Sequence, residues 1–266
     1  MKGTILEKII ETKRERVEQA KRSVHAGSLK ERAQDARAGA PAHRLRDVLI
    51  DRSRINIIAE FKKASPSKGI INEHSDPGAV AKSYRSGGAA AISVLTEEDN
   101  FKGSLNDLVA IRKAVDLPIL RKDFIFDPFQ VYEAAAAGAD AILLIAAMLS
   151  DSQLYDLEAL AEDELGMDAL IEVHTVEELE RFGDRGAKLI GVNNRDLNSF
   201  RVSLNVSREL IGHAPTGSLL VAESGISEPE DISELRSLGY SGFLIGEALM
   251  RSGDPEAELR RLNDQS

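Results

Sequence analysis

The sequence contains no cysteine among its 266 residues. This absence excludes a disulfide framework, thiolate metal sites and cysteine nucleophiles. It also fits a reducing compartment, where disulfides are rare, and we therefore expect a cytoplasmic protein.

Long apolar runs are missing as well. The longest, Ala141 to Leu149, is far shorter than the roughly 20 residues that a membrane-spanning helix needs, and it is better interpreted as a buried strand. Residues 1–22 mix charged and apolar side chains and lack the uninterrupted apolar stretch of a signal peptide. We expect neither a membrane anchor nor a removed leader.

An excess of positive charge is absent too, because the formal net charge is -10. This balance argues against a nucleic-acid surface, although a few lysines and backbone N–H groups can still bind an anion locally. Hydrophobic residues make up 42% and charged residues 29%, a composition that permits a sizeable globular core.

From Asn56 onward, short apolar runs alternate with amphipathic stretches of helical period, which is the signature of βα units and a parallel sheet. The apolar runs predict eight strands: Asn56 to Phe61, Ala90 to Leu95, Pro118 to Arg121, Ala141 to Ala146, Ala169 to Val173, Leu189 to Asn193, Leu219 to Glu223 and Gly242 to Ile245. The other stretches predict helices: Pro77 to Arg85, Leu105 to Val115, Pro128 to Ala137, Ser152 to Leu165, Val176 to Phe182, Ser207 to Ile211, Pro229 to Leu238 and Pro255 to Leu262.

Eight βα units leave two architectures open, a closed barrel and an open doubly wound sheet. No G-x-G-x-x-G follows the first strand, as a dinucleotide-binding sheet would require, so the pattern favours an α/β fold of the (β/α)8 TIM-barrel type. We expect a single domain over residues 1–266, with the barrel in 55–262 and an N-terminal helical extension in 1–50. Two amphipathic helices, Ile5 to Ala20 and Ser28 to Ala38, predict that extension, which either caps a barrel end, covers part of the active site or forms a solvated tail.

Polar side chains interrupt the apolar strands at one end only, and in a barrel these ends meet at one mouth. The candidates for catalysis there are Glu60, Lys62, Lys122, Glu172, Asn193 and Ser224. Any one of them alone would more often be a paired structural carboxylate or a solvated charge. Their occurrence together at corresponding strand ends predicts an active site.

A second group of residues predicts a phosphate site. Gly225 follows the seventh strand, and Gly246 and Glu247 follow the eighth, where many barrels bind phosphate through backbone N–H groups and the start of a short helix. Ser65 lies in the loop after the first strand, which adds hydroxyls and positive charge or is only turn chemistry. An acid at Glu247 would repel a phosphate unless its side chain turns away.

The five histidines show no metal-ligand spacing and no partner nucleophile, so we expect no metal site and assign them no catalytic role. His174 stands nearest a strand end, where a surface or indirect supporting position is the simpler interpretation. Phe61, Phe124 and Phe129 either line an aromatic-binding mouth or simply pack in the core.

Six strings resemble the motifs of the indole-3-glycerol-phosphate synthase family, in the family's order and spacing. They are IAEFKKASPSKG (58–69), LRKDFI (120–125), IEVH (171–174), GVNNRDL (191–197), AESGI (222–226) and LIGEALM (244–250). The resemblance extends over the leading helices and all eight units. It implies a carboxy-lyase of tryptophan biosynthesis that closes 1-(2-carboxyphenylamino)-1-deoxyribulose 5-phosphate to indole-3-glycerol phosphate, CO₂ and water. The implied partner is this phosphorylated small molecule, and we expect no cofactor, nucleic acid, membrane or obligatory protein partner.

The resemblance also implies roles for the candidate residues. Lys122 is the expected general acid, with a pKa lowered toward neutrality by Arg121 or Lys62. Lys62 is expected to hold the substrate carboxylate and to donate a second proton, with Glu60 orienting it. Glu172 is the expected base that removes a proton as the ring becomes aromatic.

The remaining assignments concern binding. Asn193 and Ser224 are expected to hold the sugar and anthranilate groups by hydrogen bonds, and Arg195 to support Glu172 or the entry to the site. The residues assigned to the substrate and its phosphate are Arg195, Phe124, Ser65, Gly225, Gly246 and Glu247.

Three other interpretations remain open on the residues alone. A phosphoribosylanthranilate isomerase would use a carboxylate or cysteine pair without the two lysines, and a Schiff-base aldolase would be trapped through a lysine by borohydride. A non-catalytic metabolite-binding barrel could keep the glycines but would have no need for Lys122 together with Glu172.

Overall fold

The computed structural model describes residues 5–66, 68–181, 187–197 and 199–264. Three helices precede the first strand: α1 (Ile5–Ser23), α2 (Ala26–Arg37) and α3 (Arg44–Ile50). The barrel strands are β1 (Ile57–Phe61), β2 (Ala91–Leu95), β3 (Ile119–Lys122), β4 (Ala141–Ile145), β5 (Asp168–Val173), β6 (Leu189–Asn193), β7 (Leu219–Glu223) and β8 (Gly242–Ile245). The later helices are α4 (Pro77–Ser86), α5 (Leu105–Ala114), α6 (Pro128–Ala136), α7 (Asp151–Ala159), α8 (Val176–Glu180), α9 (Asn205–Leu210), α10 (Pro229–Leu238), α11 (Glu247–Arg251) and α12 (Pro255–Asn263).

The strands close into a barrel in which each pairs in parallel with its neighbours along the chain, and β1 pairs with β8. The predicted (β/α)8 fold with leading helices is therefore confirmed. Eight predicted strands correspond to the eight barrel strands, with ends that differ by at most one residue. The helix predicted for Val176 to Phe182 ends at Glu180, and Phe182 lies outside the described residues.

Alternation along each strand divides its side chains between two apolar layers. On β1, Ile57 and Ala59 face the helices, while Ile58 joins the cluster inside the barrel. The inward series continues from Ile58 through Glu60 to Lys62, so it changes from apolar at the amino end to charged at the carboxyl end. The inward-facing side chains of one strand therefore fill the lower barrel and also supply charges at its carboxyl end.

Helix α3 closes the amino end of the barrel. Leu45 and Leu49 are fully buried there and pack with Ile58, Leu120 and the other inward residues of the lower barrel. Burial of each leucine contributes about 2 kcal/mol. Helix α3 was not predicted from the sequence, because its seven residues are too few to display a helical period.

Three other details differ from the predicted elements. Helix α7 continues as one π-helical turn, Leu160–Glu164, where a single helix to Leu165 was predicted. The loop after β1 forms a short antiparallel ladder between Ala64–Ser65 and Gly69–Ile70. Helix α11 begins directly after β8 and was not predicted as a separate element. Among the described helices, none is long and apolar enough to cross a membrane.

Candidate active site

A cavity of about 760 Å³ lies at the carboxyl end of the strands, which we call the mouth. Every candidate residue from the sequence lines it, although these residues come from six strands and their loops. They are Glu60, Lys62, Ser65, Lys122, Phe124, Glu172, Asn193, Arg195, Ser224, Gly225, Gly246 and Glu247. The convergence of catalytic, substrate-binding and phosphate-binding candidates on one cavity makes it the candidate active site.

Four charged side chains form a continuous chain across the floor of the cavity, and we call them the mouth cluster. Lys62 Nζ lies 2.7 Å from Glu60 Oε1, and Lys122 Nζ lies 3.3 Å from Glu60 Oε2. On its other side, Lys122 Nζ donates to Glu223 Oε2 at 2.8 Å. Glu60 therefore bridges the two lysines, and Lys122 bridges two carboxylates.

The pKa of each group follows from this order of charges. Burial tends to raise the pKa of Glu60, but Lys62 and Lys122 overcome that effect and lower it to about 2. Burial tends to lower the pKa of Lys122, but Glu223, Glu60 and Glu172 raise it well above its usual value. Lys122 is thus an ammonium group at neutral pH in the free protein.

The prediction that neighbours lower the pKa of Lys122 is wrong. Arg121 lies on the opposite face of β3, where its guanidinium donates to Asp123 at 3.0 Å and to the Gln130 carbonyl at 2.7 Å. Lys62 faces the cavity but is paired with Glu60. Because three carboxylates surround Lys122 and the nearest lysine is already neutralised, the net field favours the charged amine.

Glu223 was not among the candidate residues from the sequence, although the seventh predicted strand ends at this residue. Its side chain is fully buried, and burial raises its pKa to about 7 despite the opposing effect of Lys122. Gly191 on the neighbouring strand makes room for it, since a Cβ at Gly191 would meet Glu223 Oε1. The i, i+2 relation with Val221, an inward core residue, is the signal that would have placed Glu223 inside the barrel.

Gly246 has a similar steric function on the other side of the mouth cluster. A Cβ at Gly246 would meet the Glu60 carboxylate, so glycine is needed here for Glu60 to reach both lysines. Gly246 also precedes the first turn of α11 and lines the cavity.

Glu172 lines the cavity from β5, and its charge acts on Lys122. Its nearest cationic neighbour is His174, whose Nε2 lies 3.3 Å from Glu172 Oε1. The His174 side chain is only 10% exposed. The interpretation of His174 as a surface residue is therefore wrong, and the alternative of an indirect supporting position agrees with the geometry.

The loops after β6 and β7 are held together by a buried asparagine. Asn194 Nδ2 donates to the carbonyls of Glu223 and Ser224, and its Oδ1 accepts from the Ser207 N–H and hydroxyl. Ser224 has a φ of 65°, a left-handed conformation that is unusual outside glycine. These bonds stabilise the backbone turn that presents Ser224 to the cavity.

Two further polar candidates lie on the same side. Asn193 Oδ1 accepts the backbone N–H of Arg195 at 3.0 Å, which fixes the asparagine amide at the end of β6. The Arg195 guanidinium donates to the Phe200 carbonyl at 3.3 Å and lines the cavity.

The phosphate candidates lie at one edge of the cavity. Glu247 carries an acid into this edge, but its Oε1 lies 3.5 Å from Lys68 Nζ and 3.3 Å from Arg251 Nε. The charge of Glu247 is thus offset by two cations that also line the cavity. Ser65 stands in the short ladder after β1, and Ser67 of the same motif lies outside the described residues.

The opposite edge is apolar. The Phe124 ring lies 6.4 Å from the Phe101 ring between centroids, and Leu6 and Ile9 of α1 face the same space. Phe61 and Phe129, in contrast, pack in the core. An aromatic ring of a substrate would find its apolar contacts at this edge.

Helix α1 covers part of the cavity. Lys13, although charged, is 3% exposed, and its Nζ lies 2.8 Å from Asp123 Oδ2 and 2.9 Å from Glu98 Oε2. Val17 packs against Leu29 of α2. The leading segment therefore does both things that the sequence allowed: α1 covers part of the cavity and is tied to Asp123, and α3 caps the amino end of the barrel.

Fold and site together define the class of the protein: an enzyme of the TIM-barrel type with a charged cavity at the carboxyl ends of its strands. The family model described as Indole-3-glycerol phosphate synthase matches residues 6–262. The chain belongs to the indole-3-glycerol phosphate synthase family. A relative of that name from Carboxydothermus hydrogenoformans is 47% identical over 264 residues, with 97% of this chain and 98% of the relative covered. Another from Bordetella pertussis is 46% identical over 261 residues, with 97% and 98% covered.

Solved structures of lower identity resemble the chain in fold. 3-Hexulose-6-phosphate synthase from Salmonella typhimurium superimposes with a TM-score of 0.63 at 14% identity, covering 79% of this chain and 97% of its own. A chain of the tryptophan synthase complex from Pyrococcus furiosus superimposes with a TM-score of 0.59 at 15% identity, covering 79% and 98%. These likenesses support the barrel and say nothing of the substrate.

Proposed function

We propose that the chain converts 1-(2-carboxyphenylamino)-1-deoxyribulose 5-phosphate to indole-3-glycerol phosphate, CO₂ and water, with Lys122, Lys62 and Glu172 as its proton-transfer groups. The observation that carries this assignment is their arrangement around one cavity that has an apolar edge and a cationic edge. An N-aryl sugar phosphate has the same polarity, with an aromatic ring at one end and a phosphate at the other.

Lys122 acts first, as the general acid. The aromatic carbon that carries the carboxylate attacks the sugar carbonyl, and the carbonyl oxygen takes a proton from the Lys122 ammonium. The raised pKa of Lys122 ensures that the proton is present before the reaction. Glu223 accepts a hydrogen bond from the same nitrogen and so holds the Lys122 ammonium in position.

Lys62 and Glu172 act in the later steps. Loss of CO₂ returns its bonding electrons to the ring, and the new hydroxyl group then leaves as water with a proton from Lys62. Glu172 removes the C–H proton, which completes the indole. Glu60, with its pKa of about 2, stays ionised and keeps Lys62 beside the substrate carboxylate.

The binding groups complete the assignment. The phosphate lies at the edge formed by Ser65, Gly225 and Gly246, where Lys68 and Arg251 supply positive charge. The other ligands of the substrate are Phe124 at the apolar edge and Asn193, Ser224 and Arg195 at the polar side.

We also propose that this is a cytoplasmic enzyme that works without a cofactor or an obligatory protein partner. A substrate that carries both a phosphate and a carboxylate does not cross a membrane unaided, because the cost of desolvating its charges is large. All the proton-transfer groups of the proposal come from one chain, and they are side chains with no need for a bound cofactor.

The test is to add the purified protein to the carboxyphenylamino-deoxyribulose phosphate and to follow indole fluorescence. The proposal predicts a fluorescent product that requires Glu172, so the Glu172→Gln protein is expected to lose about 10²- to 10⁴-fold in kcat. A folded protein that yields no indole would reject the function. A borohydride-trapped lysine adduct with a carbonyl substrate would favour an aldolase instead.

A further inference from the structure

His174 lies beside Glu172, directly after the carboxyl end of β5. The two residues are separated by one position on the strand end, so both point toward the barrel axis. Glu172 is among the residues that line the mouth cavity, and His174 is outside that set. His174 therefore contacts the proposed base without facing the space where the substrate binds.

The imidazole ring stands between two carboxylates. Its Nε2 lies 3.3 Å from Glu172 Oε1, and its Nδ1 lies 3.5 Å from Glu178 Oε2 on α8. Glu178 is fixed in this position, because its Oε2 also accepts the backbone N–H of His174 at 2.7 Å. The Glu178 N–H in turn donates to the Thr175 hydroxyl that caps α8. The helix start thus holds one carboxylate against one side of the ring.

We propose that His174 is a positioning residue, which in its doubly protonated form holds one oxygen of Glu172 and leaves the other oxygen to accept the substrate proton. This proposal rests on the proposed function and adds a residue that acts through the base. A neutral imidazole has one N–H and one lone pair, so it can donate to only one of the two carboxylates and presents a lone pair to the other. The imidazolium can donate to both.

The charges around the ring favour the imidazolium. The acidic groups that face it are Glu172 from β5, Glu178 from α8 and Glu223 from β7, and Arg181 lies beyond Glu178. Burial tends to lower the pKa of His174, but these carboxylates raise it above its usual value. Because the pKa of His174 is raised, the ring keeps its proton to higher pH than an ordinary histidine does and loses it as the pH rises through that pKa. The arrangement therefore couples the orientation of Glu172 to pH on the alkaline side.

The first experiment is the pH profile of kcat for the full chain and for His174→Gln. The wild-type profile is expected to fall on the alkaline side as His174 deprotonates. The His174→Gln protein is expected to lose about tenfold in kcat at neutral pH, since the charged contact with Glu172 is lost, and to lack that alkaline fall. KM is expected to change much less, because His174 does not line the cavity.

The second experiment changes the pKa of His174 and keeps the ring. Glu178→Gln removes one of the carboxylates that favour the imidazolium, so the alkaline fall is expected to move to lower pH. Glu180→Gln is the matched control, because Glu180 is an exposed glutamate on the same helix. A purely structural role of His174 would leave the position of the alkaline fall unchanged in both variants.

Two outcomes would overturn the proposal. One is a His174→Gln protein with wild-type kcat and an unchanged alkaline fall, and the other is an identical pH profile for Glu178→Gln and Glu180→Gln. If His174→Gln does not fold, the profiles of the two glutamate variants decide alone.

An NMR titration of the His174 ring separates this proposal from the proposed function. The pKa of His174 is expected to fall in both Glu172→Gln and Glu178→Gln. If the protein forms no indole-3-glycerol phosphate but the pKa of His174 still falls in both variants, the proposed function is rejected and the histidine–carboxylate contact is supported. If the pKa of His174 is the same in the wild type and in Glu172→Gln, the contact itself is rejected.

Discussion

The two ends of the barrel both bury charge, but they arrange it differently. At the amino end, the Asp140 carboxylate accepts from Arg37, Arg44 and Arg112 at 3.2, 3.3 and 2.8 Å, and also from the Ile119 N–H at 3.0 Å. These four side chains are called the Asp140 cluster. At the mouth, the mouth cluster joins two lysines to two carboxylates beside an open cavity.

The difference between the two clusters lies in the access that a substrate has to them. Both oxygens of Asp140 have donors, so the Asp140 cluster is complete within the chain. In the mouth, Glu223 Oε1 is buried and has no hydrogen-bond partner among the described residues. The other three members of the mouth cluster, Glu60, Lys62 and Lys122, line the cavity, and no member of the Asp140 cluster does. We therefore assign stability to the amino end and chemistry to the mouth.

The largest expected effect comes from removing a charged side chain of the mouth cluster. Lys122→Met removes the proposed general acid while keeping the length of the side chain. We expect kcat for indole formation to fall about 10²- to 10⁴-fold. Lys113→Met on the exposed side of α5 is the control and is expected to keep the wild-type rate. A Lys122→Met protein that retains that rate would remove Lys122 from the mechanism.

The next largest effect is expected from neutralising Asp140 at the amino end of the barrel. Asp140→Asn leaves three arginines around a neutral amide, and we expect the free energy of unfolding to fall by about 3 kcal/mol. The folded fraction is expected to keep its kcat, since Asp140 lies at the other end of the barrel. Urea denaturation followed by circular dichroism measures the loss.

Asp116→Asn is the matched control for Asp140. Its carboxylate pairs with Arg44 at 2.9 Å, but the Asp116 side chain is 95% exposed. We expect this variant to lose less than about 1 kcal/mol because solvent screens the exposed pair. Equal losses for Asp116→Asn and Asp140→Asn would contradict the assignment of stability to the buried cluster.

The smallest expected effect sharpens the description of the mouth. Glu247→Gln frees Lys68 and Arg251 from a competing carboxylate at the phosphate edge. We expect KM for the phosphorylated substrate to fall about two- to fivefold, as the pairs are partly exposed and each is weak. Steady-state kinetics at low ionic strength measures the change, and a higher KM would show that Glu247 itself assists binding.

The strands and the members of the site were predictable from the sequence because both follow from alternation. Apolar runs of four to six residues set the strands, and a polar residue at the end of such a run points into the mouth. The same rule also places Glu223 two residues after Val221 and His174 two residues after Glu172. Glu223 could have been assigned from this pattern and was not, whereas His174 was noted at a strand end with an indirect supporting position as one of two interpretations.

The sign of the pKa shift at Lys122 was not predictable in the same way. It depends on which side chains of other strands surround the amine, and Glu223 is 101 positions away along the chain. Adjacency in sequence pointed to Arg121, which faces the outside of the barrel and bonds to Gln130 and Asp123. Closing the barrel brings the carboxylates together, and a single sequence does not display that proximity.

The most direct test of the division between the two ends is the free energy of unfolding of the double variant Lys122→Met/Glu223→Gln. This variant removes a buried ion pair without leaving either partner as a lone charge, and such replacements are commonly neutral or stabilising. We predict no measurable indole formation and a free energy of unfolding within about 1 kcal/mol of the wild type, or above it. A loss as large as that of Asp140→Asn would contradict the account, because the mouth cluster would then stabilise the fold as much as the Asp140 cluster at the amino end does.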